Sequence, residues 1–297
     1  MIRIGFDVGG SKIAALALDR AGREVGRRRQ DVPRDYASTL AALARLATEL
    51  MAAHGPAEAI GIALPGMIGA GGEPLRVVNL PWIEGRPLRA DLAQALAVPV
   101  ALANDANCFA LSEAVDGAAA GAAVVFGVIL GTGVGGGIVV ERKPLAGANA
   151  IAGEWGHNPL PPCAGADGPP ATCGCGRTGC IESWLNGAAL ARDHARLTGR
   201  VADGPVIARR AEAGDAAALA TLDRYRQRLA TALAGVINIL DPDVIVLGGG
   251  LSALPGLYDE MPRLWRPLVV APDPRTRLVP ARFGAESGLR GAAWLVG

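Results

Sequence analysis

The chain opens on a short apolar run, Ile2 to Asp7, that reads as a strand and gives way to Val8-Gly9-Gly10-Ser11-Lys12. Ile13 to Asp19 and Arg23 to Val32 read as two further strands joined by a turn at Ala21-Gly22. Two hairpins in succession predict an antiparallel meander. Leu40, Leu43, Ala47, Leu50 and Met51 then recur at helical spacing, which predicts a helix with one apolar face over Tyr36 to Ala53. Ala59 to Leu64 reads as a buried strand ending at Pro65-Gly66, Leu88 to Leu96 as a short helix, and Val98 to Ala103 as another strand. The next helix is expected to begin near Asn104-Asp105, and either residue is a good N-cap type.

The pattern then restarts. Val124 to Leu130 is an apolar strand that runs into a glycine-rich loop, Gly131 to Gly137, and Ile138 to Glu141 continues as a second strand. Gly153 to Cys180 is irregular and rich in Gly, Pro and Cys. The longest predicted helix, Ala216 to Leu240, carries Leu219, Leu222, Leu229, Leu233, Val236 and Leu240, and Asp241-Pro242 stops it. Val244 to Leu247 is a buried strand closed by Gly248-Gly249-Gly250, and Gly288 to Leu295 reads as a last helix. A strand followed by a glycine loop near the start of each half predicts two similar α/β lobes. The expected division is 1–118 and 119–285, with the final helix, 286–297, packing back on the first lobe.

Composition narrows the classes. The 297 residues are enough for a substantial core, and 51% hydrophobic against 19% charged residues excludes disorder. With 29 Lys and Arg against 28 Asp and Glu the net charge is +1, so there is no field to draw nucleic acid or an anionic membrane. Arg27-Arg28-Arg29 reads as a solvated strand face. No apolar run approaches the roughly 20 residues of a membrane span, and the N-terminus reads as a strand and not as a signal peptide. A cytoplasmic location is the expectation. Glycine is in surplus at 41 residues, without a Gly-X-Y period. Three of the five cysteines crowd into Cys173 to Cys180, which in a reducing compartment points to metal before disulfides.

The glycines carry the first chemistry. Asp7 to Lys12, Gly131 to Gly137 and Gly248 to Gly250 each follow an apolar strand. Without a Cβ, backbone N–H groups can surround phosphate oxygens, Ser11 or Thr132 can add a hydroxyl donor, and Asp7 can hold Mg²⁺. The alternative for any single loop is a tight turn. The first strand is followed by neither a P-loop nor a Gly-x-Gly-x-x-Gly. Gly131 to Gly136 matches the latter string, but a strand follows where a dinucleotide site needs a helix. Asp105 stands at a strand-to-helix junction, where ligands gather in α/β sheets; it reads equally as a base for phosphoryl transfer and as an N-cap. His157, Cys173, Cys175 and Cys180 form a His…Cys-x-Cys-x₄-Cys set, the donors of a closed tetrahedral zinc shell. Cys163, six residues after His157, is a further candidate, and Cys108 reads as a core residue.

Together these motifs resemble the actin-like sugar kinases. Asp7-Val8-Gly9-Gly10-Ser11-Lys12 is similar to their first phosphate motif, Leu130-Gly131-Thr132-Gly133 to the second, and Gly248-Gly249-Gly250 to the adenosine-side motif. Over essentially its whole length the chain resembles the ROK (repressor, open reading frame, kinase) family. That resemblance implies two ribonuclease-H-like lobes around a cleft that holds ATP and sugar. It implies phosphate contacts from Asp7, Gly9, Gly10, Ser11, Lys12, Gly131, Thr132, Gly133, Gly249 and Gly250. It makes Asp105 the catalytic base. Sugar contacts are implied for Pro65, Gly66, Asn79, Asn104, Asp105, Glu154, His157 and Glu182, with His157 also a zinc ligand. A structural zinc on His157, Cys173, Cys175 and Cys180 would hold the Glu154 loop and Glu182 in place.

The implied activity is ATP- and Mg²⁺-dependent phosphorylation of a hexose at C6 by a homodimer. Ser112 to Gly121 and Gly153 to Pro161 resemble bacterial fructokinases with mannokinase activity, so fructose is the expected substrate. N-acetylglucosamine kinase and glucokinase are the alternatives. A sugar-sensing regulator of the same family is the alternative from another class. Regulators carry a DNA-binding segment before the first phosphate motif, and here Asp7 is the seventh residue. Arg34 and Arg86 read as surface charges.

Overall fold

The computed structural model of the chain describes residues 1–69, 71–164 and 168–296. It divides into two compact units. The first holds Met1–Gly121, Gly137–Gly153 and Arg282–Gly297; the second holds Ala122–Gly136 and Glu154–Ala281. Gly137–Gly153, expected with the second lobe, therefore groups with the first.

In the first unit β1 (Ile2–Val8), β2 (Lys12–Leu18) and β3 (Glu24–Asp31) form an antiparallel meander. Asp7 lies opposite Ala14, and Leu16 opposite Arg27. The Asp35 side chain accepts the Ser38 N–H and caps α1 (Tyr36–His54). β4 (Ala57–Leu64) then pairs in parallel with β1. A hairpin of β5 (Gly66–Ile68) and β6 (Pro74–Val77) forms a separate two-stranded sheet. After α2 (Leu88–Leu96), β7 (Val100–Asn104) completes a sheet of order β3-β2-β1-β4-β7, and α3 (Asp105–Val115) follows at once. Strand alternation sends Ile4 and Phe6 into one core with Leu43, Leu46 and Leu50 of α1 and with Ile60 and Ile62 of β4. The charge run on β3 is solvated as expected, with Arg27 bonded to Glu24 and Glu286, and Arg28 Nε 3.4 Å from Glu49.

In the second unit β8 (Val124–Leu130) leads to β9 (Val134–Val140), which crosses into the first unit at Gly137. The short β10 (Lys143–Pro144) pairs with β9. The glycines Gly135, Gly136 and Gly137 are thus strand and not loop, and β9 starts four residues before the predicted Ile138. Packing is the reason at Gly137, where a Cβ would lie 2.5 Å from the Ala106 carbonyl. Among its described residues, the stretch from Gly153 to Cys180 holds only the short helical turn Trp155–His157 and two isolated bridges. Helices α4 (Ile181–Leu185), α5 (Gly187–Thr198), α6 (Gly204–Glu212) and α7 (Ala216–Leu240) follow. Asp215 caps α7 through the Ala217 and Ala218 N–H groups. β11 (Val244–Gly248), α8 (Leu257–Trp265) and β12 (Arg277–Pro280) complete this unit, with β11 parallel to both β8 and β12. The second sheet has the order β10-β9-β8-β11-β12.

The last helix, α9 (Ser287–Ala293), belongs to the first unit, with Leu289 and Ala293 against Leu16 and Leu18. No helix among the described residues is long and apolar enough to cross a membrane.

Candidate active site and metal centre

Several of the predicted site residues lie in the first unit. The Gly9 N–H donates to the Lys12 carbonyl at 3.0 Å and closes the β1–β2 turn, while the Val32 N–H donates to the Ser11 carbonyl at 3.1 Å. Asp7 stands near the end of β1, between Ala14 and Ala63 on the neighbouring strands. Burial pushes its carboxyl above the usual range and the Lys12 charge draws it partly back. Asn79, held at φ +64°, packs beside this turn, since a Cβ on Gly10 would meet the Asn79 Cβ at 2.7 Å.

Pro65 and Gly66 follow β4. Gly66 has φ +142°, and a Cβ there would meet the Arg76 carbonyl at 2.0 Å. Its own carbonyl accepts the Asn104 Nδ2–H at 2.9 Å, and Asn104 Oδ1 accepts the Ala106 N–H at 2.7 Å. Asn104 is therefore the N-cap of α3, and Asp105 becomes its exposed first residue. Asp105 Oδ1 also accepts the Ala106 N–H at 2.9 Å.

The other predicted site residues lie in the second unit. The Gly131 N–H donates to the Gly133 carbonyl at 3.0 Å, so Gly131-Thr132-Gly133 closes as a tight turn between β8 and β9. Gly249 sits against β8 at φ +81°, where a Cβ would meet the Leu130 carbonyl at 2.3 Å, and Gly250 opens a helical turn. Glu182, on the first turn of α4, accepts the Val134 N–H on Oε2 at 3.0 Å and the Cys173 thiol on Oε1 at 3.2 Å. Glu154 is exposed, with Oε2 3.9 Å from His157 Nε2. Pro65, Gly66, Asn104 and Asp105 thus meet in the first unit, and Glu154, His157 and Glu182 surround the cysteine cluster in the second.

His157, Cys173, Cys175 and Cys180 bring one donor atom each within 4.8 Å of one another. Cys173 Sγ lies 3.5 Å from His157 Nδ1, and Cys175 Sγ 3.6 Å from Cys180 Sγ. A tetrahedron with Zn–S bonds of about 2.3 Å has an S···S edge of about 3.8 Å, so the donor set fits zinc in chemistry and in span. Backbone N–H donation at Arg177 lowers the Cys175 thiol to about 6. Burial pushes Cys173 up to about 12 and Cys180 upward. A cation would draw the proton from each thiol it binds. Cys163 lies outside this group, and Cys108 is a buried core residue as expected.

Sequence reasoning missed Trp155, whose indole N–H donates to the Gly135 carbonyl at 3.0 Å, and Glu113, a fully buried acceptor on α3. No periodicity marks either one.

A sequence profile described as the ROK family matches residues 3–297. The chain belongs to the ROK family of sugar kinases. Its two five-stranded sheets carry the actin-like ATPase fold of ROK kinases. The "N-acetyl-D-glucosamine kinase" of Erwinia tasmaniensis is 43% identical to it over 298 residues, covering 98% of each chain. The ROK hexokinase of Thermus thermophilus superposes with a TM-score of 0.87 at 35% identity, covering 100% of this chain and 98% of that one. A ROK family glucokinase from Streptomyces griseus, solved in complex with glucose and AMPPNP, gives a TM-score of 0.75 at 28% identity, with 100% and 99% covered.

Proposed function

We propose that this ROK kinase transfers the γ-phosphoryl group of ATP to the 6-hydroxyl of N-acetylglucosamine. The fructose preference expected from the fructokinase-like segments finds no support among the relatives. The 43% identity to an N-acetyl-D-glucosamine kinase, at 98% coverage of both chains, carries the reading.

In this mechanism Asp105 accepts the proton of the sugar hydroxyl as it attacks. Its exposure at the start of α3, with the capping task on Asn104, supports that role. The turns at Gly9-Gly10, Gly131 to Gly133 and Gly249-Gly250 hold the nucleotide phosphates through N–H groups other than those of Gly9 and Gly131, which close the turns themselves, and Asp7 is the carboxylate that would hold Mg²⁺. The metal, when bound, offsets phosphate charge. Glu154, His157 and Glu182 accept and donate at the sugar hydroxyls. His157, Cys173, Cys175 and Cys180 would hold a structural zinc.

A coupled ADP-release assay across fructose, mannose, glucose and N-acetylglucosamine tests the substrate. The highest kcat/KM is expected for N-acetylglucosamine. A highest value for fructose returns the assignment to the alternative, and no turnover with any of the four overturns the hexose-kinase reading.

A further inference from the structure

Two of the metal-site residues lie close along the chain to groups that grip the second glycine turn. Trp155 precedes His157 by two residues, and Glu182 follows Cys180 by two. The Trp155 indole N–H donates to the Gly135 carbonyl at 3.0 Å. Glu182 Oε2 accepts the N–H of Val134, the residue beside it, also at 3.0 Å. The two bonds thus hold consecutive residues immediately after Gly131-Thr132-Gly133.

The grip is rigid on both arms. Trp155 is buried, with its ring edge-on to Phe126 at 5.6 Å and 81°. Gly156 lies flush against the turn, since a Cβ there would meet the Val134 carbonyl at 2.1 Å. On the other arm a Cβ on Gly133 would meet Glu182 Oε2 at 2.8 Å, and the Gly187 N–H at the start of α5 donates to the Gly131 carbonyl at 2.9 Å.

We infer that Trp155 and Glu182 are positioning residues that clasp the Gly131–Gly135 turn, and that a metal joining His157 to Cys180 sets the spacing of the two arms. Metal occupancy is then felt as nucleotide affinity. This rests on the turn being a phosphate loop and on the cysteine cluster being a zinc site. The physical link is orientation: backbone N–H groups stabilise phosphate oxygens only when aimed at them, and a misplacement of about 1 Å costs on the order of 100-fold where geometry must be exact. Linkage makes the effect reciprocal, so bound nucleotide tightens the metal by the same factor.

The test is titration calorimetry of Mg·ADP and, separately, of N-acetylglucosamine, on zinc-loaded, chelated and zinc-restored protein, with zinc per chain measured by mass spectrometry. Chelation is expected to weaken Mg·ADP by about 10- to 100-fold and restored zinc to reverse it. Trp155→Phe, which keeps a ring and removes the N–H, and Glu182→Ala are each expected to weaken Mg·ADP about 5-fold or more while zinc stays bound. Hydrogen exchange at the Val134 amide is expected to quicken on chelation.

Unchanged Mg·ADP affinity in the chelated protein and in both variants overturns the clasp, as does a loss confined to the sugar. Unchanged exchange at Val134 does the same. Wild-type protein that binds no zinc or no Mg·ADP overturns it at its premises, a result the first titrations distinguish.

Discussion

Glu113 is fully buried near the end of α3, the helix that begins with Asp105. Its Oε2 accepts the Ala118 N–H at 2.8 Å and the Arg282 N–H at 3.0 Å. Its Oε1 accepts the Phe283 N–H at 3.3 Å and the Ser287 hydroxyl at 2.7 Å. One side chain thus ties α3 to the segment by which the chain leaves the first unit, before Gly121, and to the segment by which it returns, at Arg282. Glu113→Gln replaces one oxygen by an NH₂ group. The NH₂ group is best placed on the Oε1 side, where the Ser287 hydroxyl can donate to the Gly284 carbonyl and accept from the amide. The Phe283 N–H then loses its acceptor and faces a donor, a loss of about 1.5–3 kcal/mol for a hydrogen bond to a charged group. A chain of two units need not unfold in one step, so a global unfolding free energy is a poor reporter. Amide exchange at Ala118, Arg282 and Phe283 follows the loss, and at 1.4 kcal/mol per decade local opening at Phe283 becomes about 10- to 10²-fold more frequent. Exchange at all three amides within about threefold of wild type would refute the assignment of Glu113 as the tie.

Asp105→Asn is expected to lower kcat by about 10²- to 10⁴-fold, about 3–5 kcal/mol in the barrier, with sugar affinity within a few-fold of wild type; near-normal turnover removes the residue from the role of base. Cys175, with its thiol lowered to about 6, is mostly thiolate at pH 7. Iodoacetamide with peptide mapping should therefore label Cys175 before Cys173 in chelated protein, tenfold more slowly for each pH unit below about 6, and zinc should suppress the labelling. Equal labelling of the two, with or without zinc, contradicts the site. Gly291→Ala sets a Cβ 1.6 Å from the Cys108 carbonyl and is expected to cost at least the roughly 1–3 kcal/mol of an overpacked core, read as a lowered melting temperature.

Most of the scaffold was legible because its elements bury one regular face. β1, β2, β4, β8 and β11 carry short apolar runs and α1 an apolar face at helical period, and no tertiary detail is needed to see either; β3 is polar and was read from the turn before it. The failures share a cause as well. β5, β6 and β12 are short, and Pro74 and the Arg277 to Pro280 run carry no apolar period. β9 was misread at its start because Gly135 to Gly137 carry no side chain to show an alternation. At the candidate site the four clustered His and Cys donors were visible in their spacing, which is the spacing a tetrahedral shell would require. Whether Asn104 or Asp105 caps α3 was not visible, because both side chains suit the position. Glu113 and Trp155 were invisible for a different reason: Trp155 bonds a backbone carbonyl 20 residues away, and Glu113 bonds Arg282, Phe283 and Ser287 far along the chain, pairings that no local pattern marks.

The surplus of glycine has two physical origins, and only one of them concerns phosphate. Gly5 and Gly61 are register partners on the parallel strands β1 and β4. A Cβ on Gly5 would lie 2.3 Å from the Leu289 carbonyl, and one on Gly61 1.7 Å from that of Ala292. The pair forms a trough in the sheet that admits the backbone of α9, and Gly291 on its other side admits α3 through the Cys108 carbonyl. Ala63 of β4, Cys108 of α3 and Ala292 of α9 share one small core whose buried side chains are no larger than a thiol, with Ala103 and Leu295 packed against it. The helix that begins with Asp105 is therefore seated by glycine–backbone contact, with little side-chain volume available to adjust. Such a seat tolerates no added methyl, and it fixes the height of α3 over the sheet. The position of the proposed base thus depends on glycines that touch neither sugar nor nucleotide, and substitution at Gly61 or Gly291 is expected to lower turnover as well as stability.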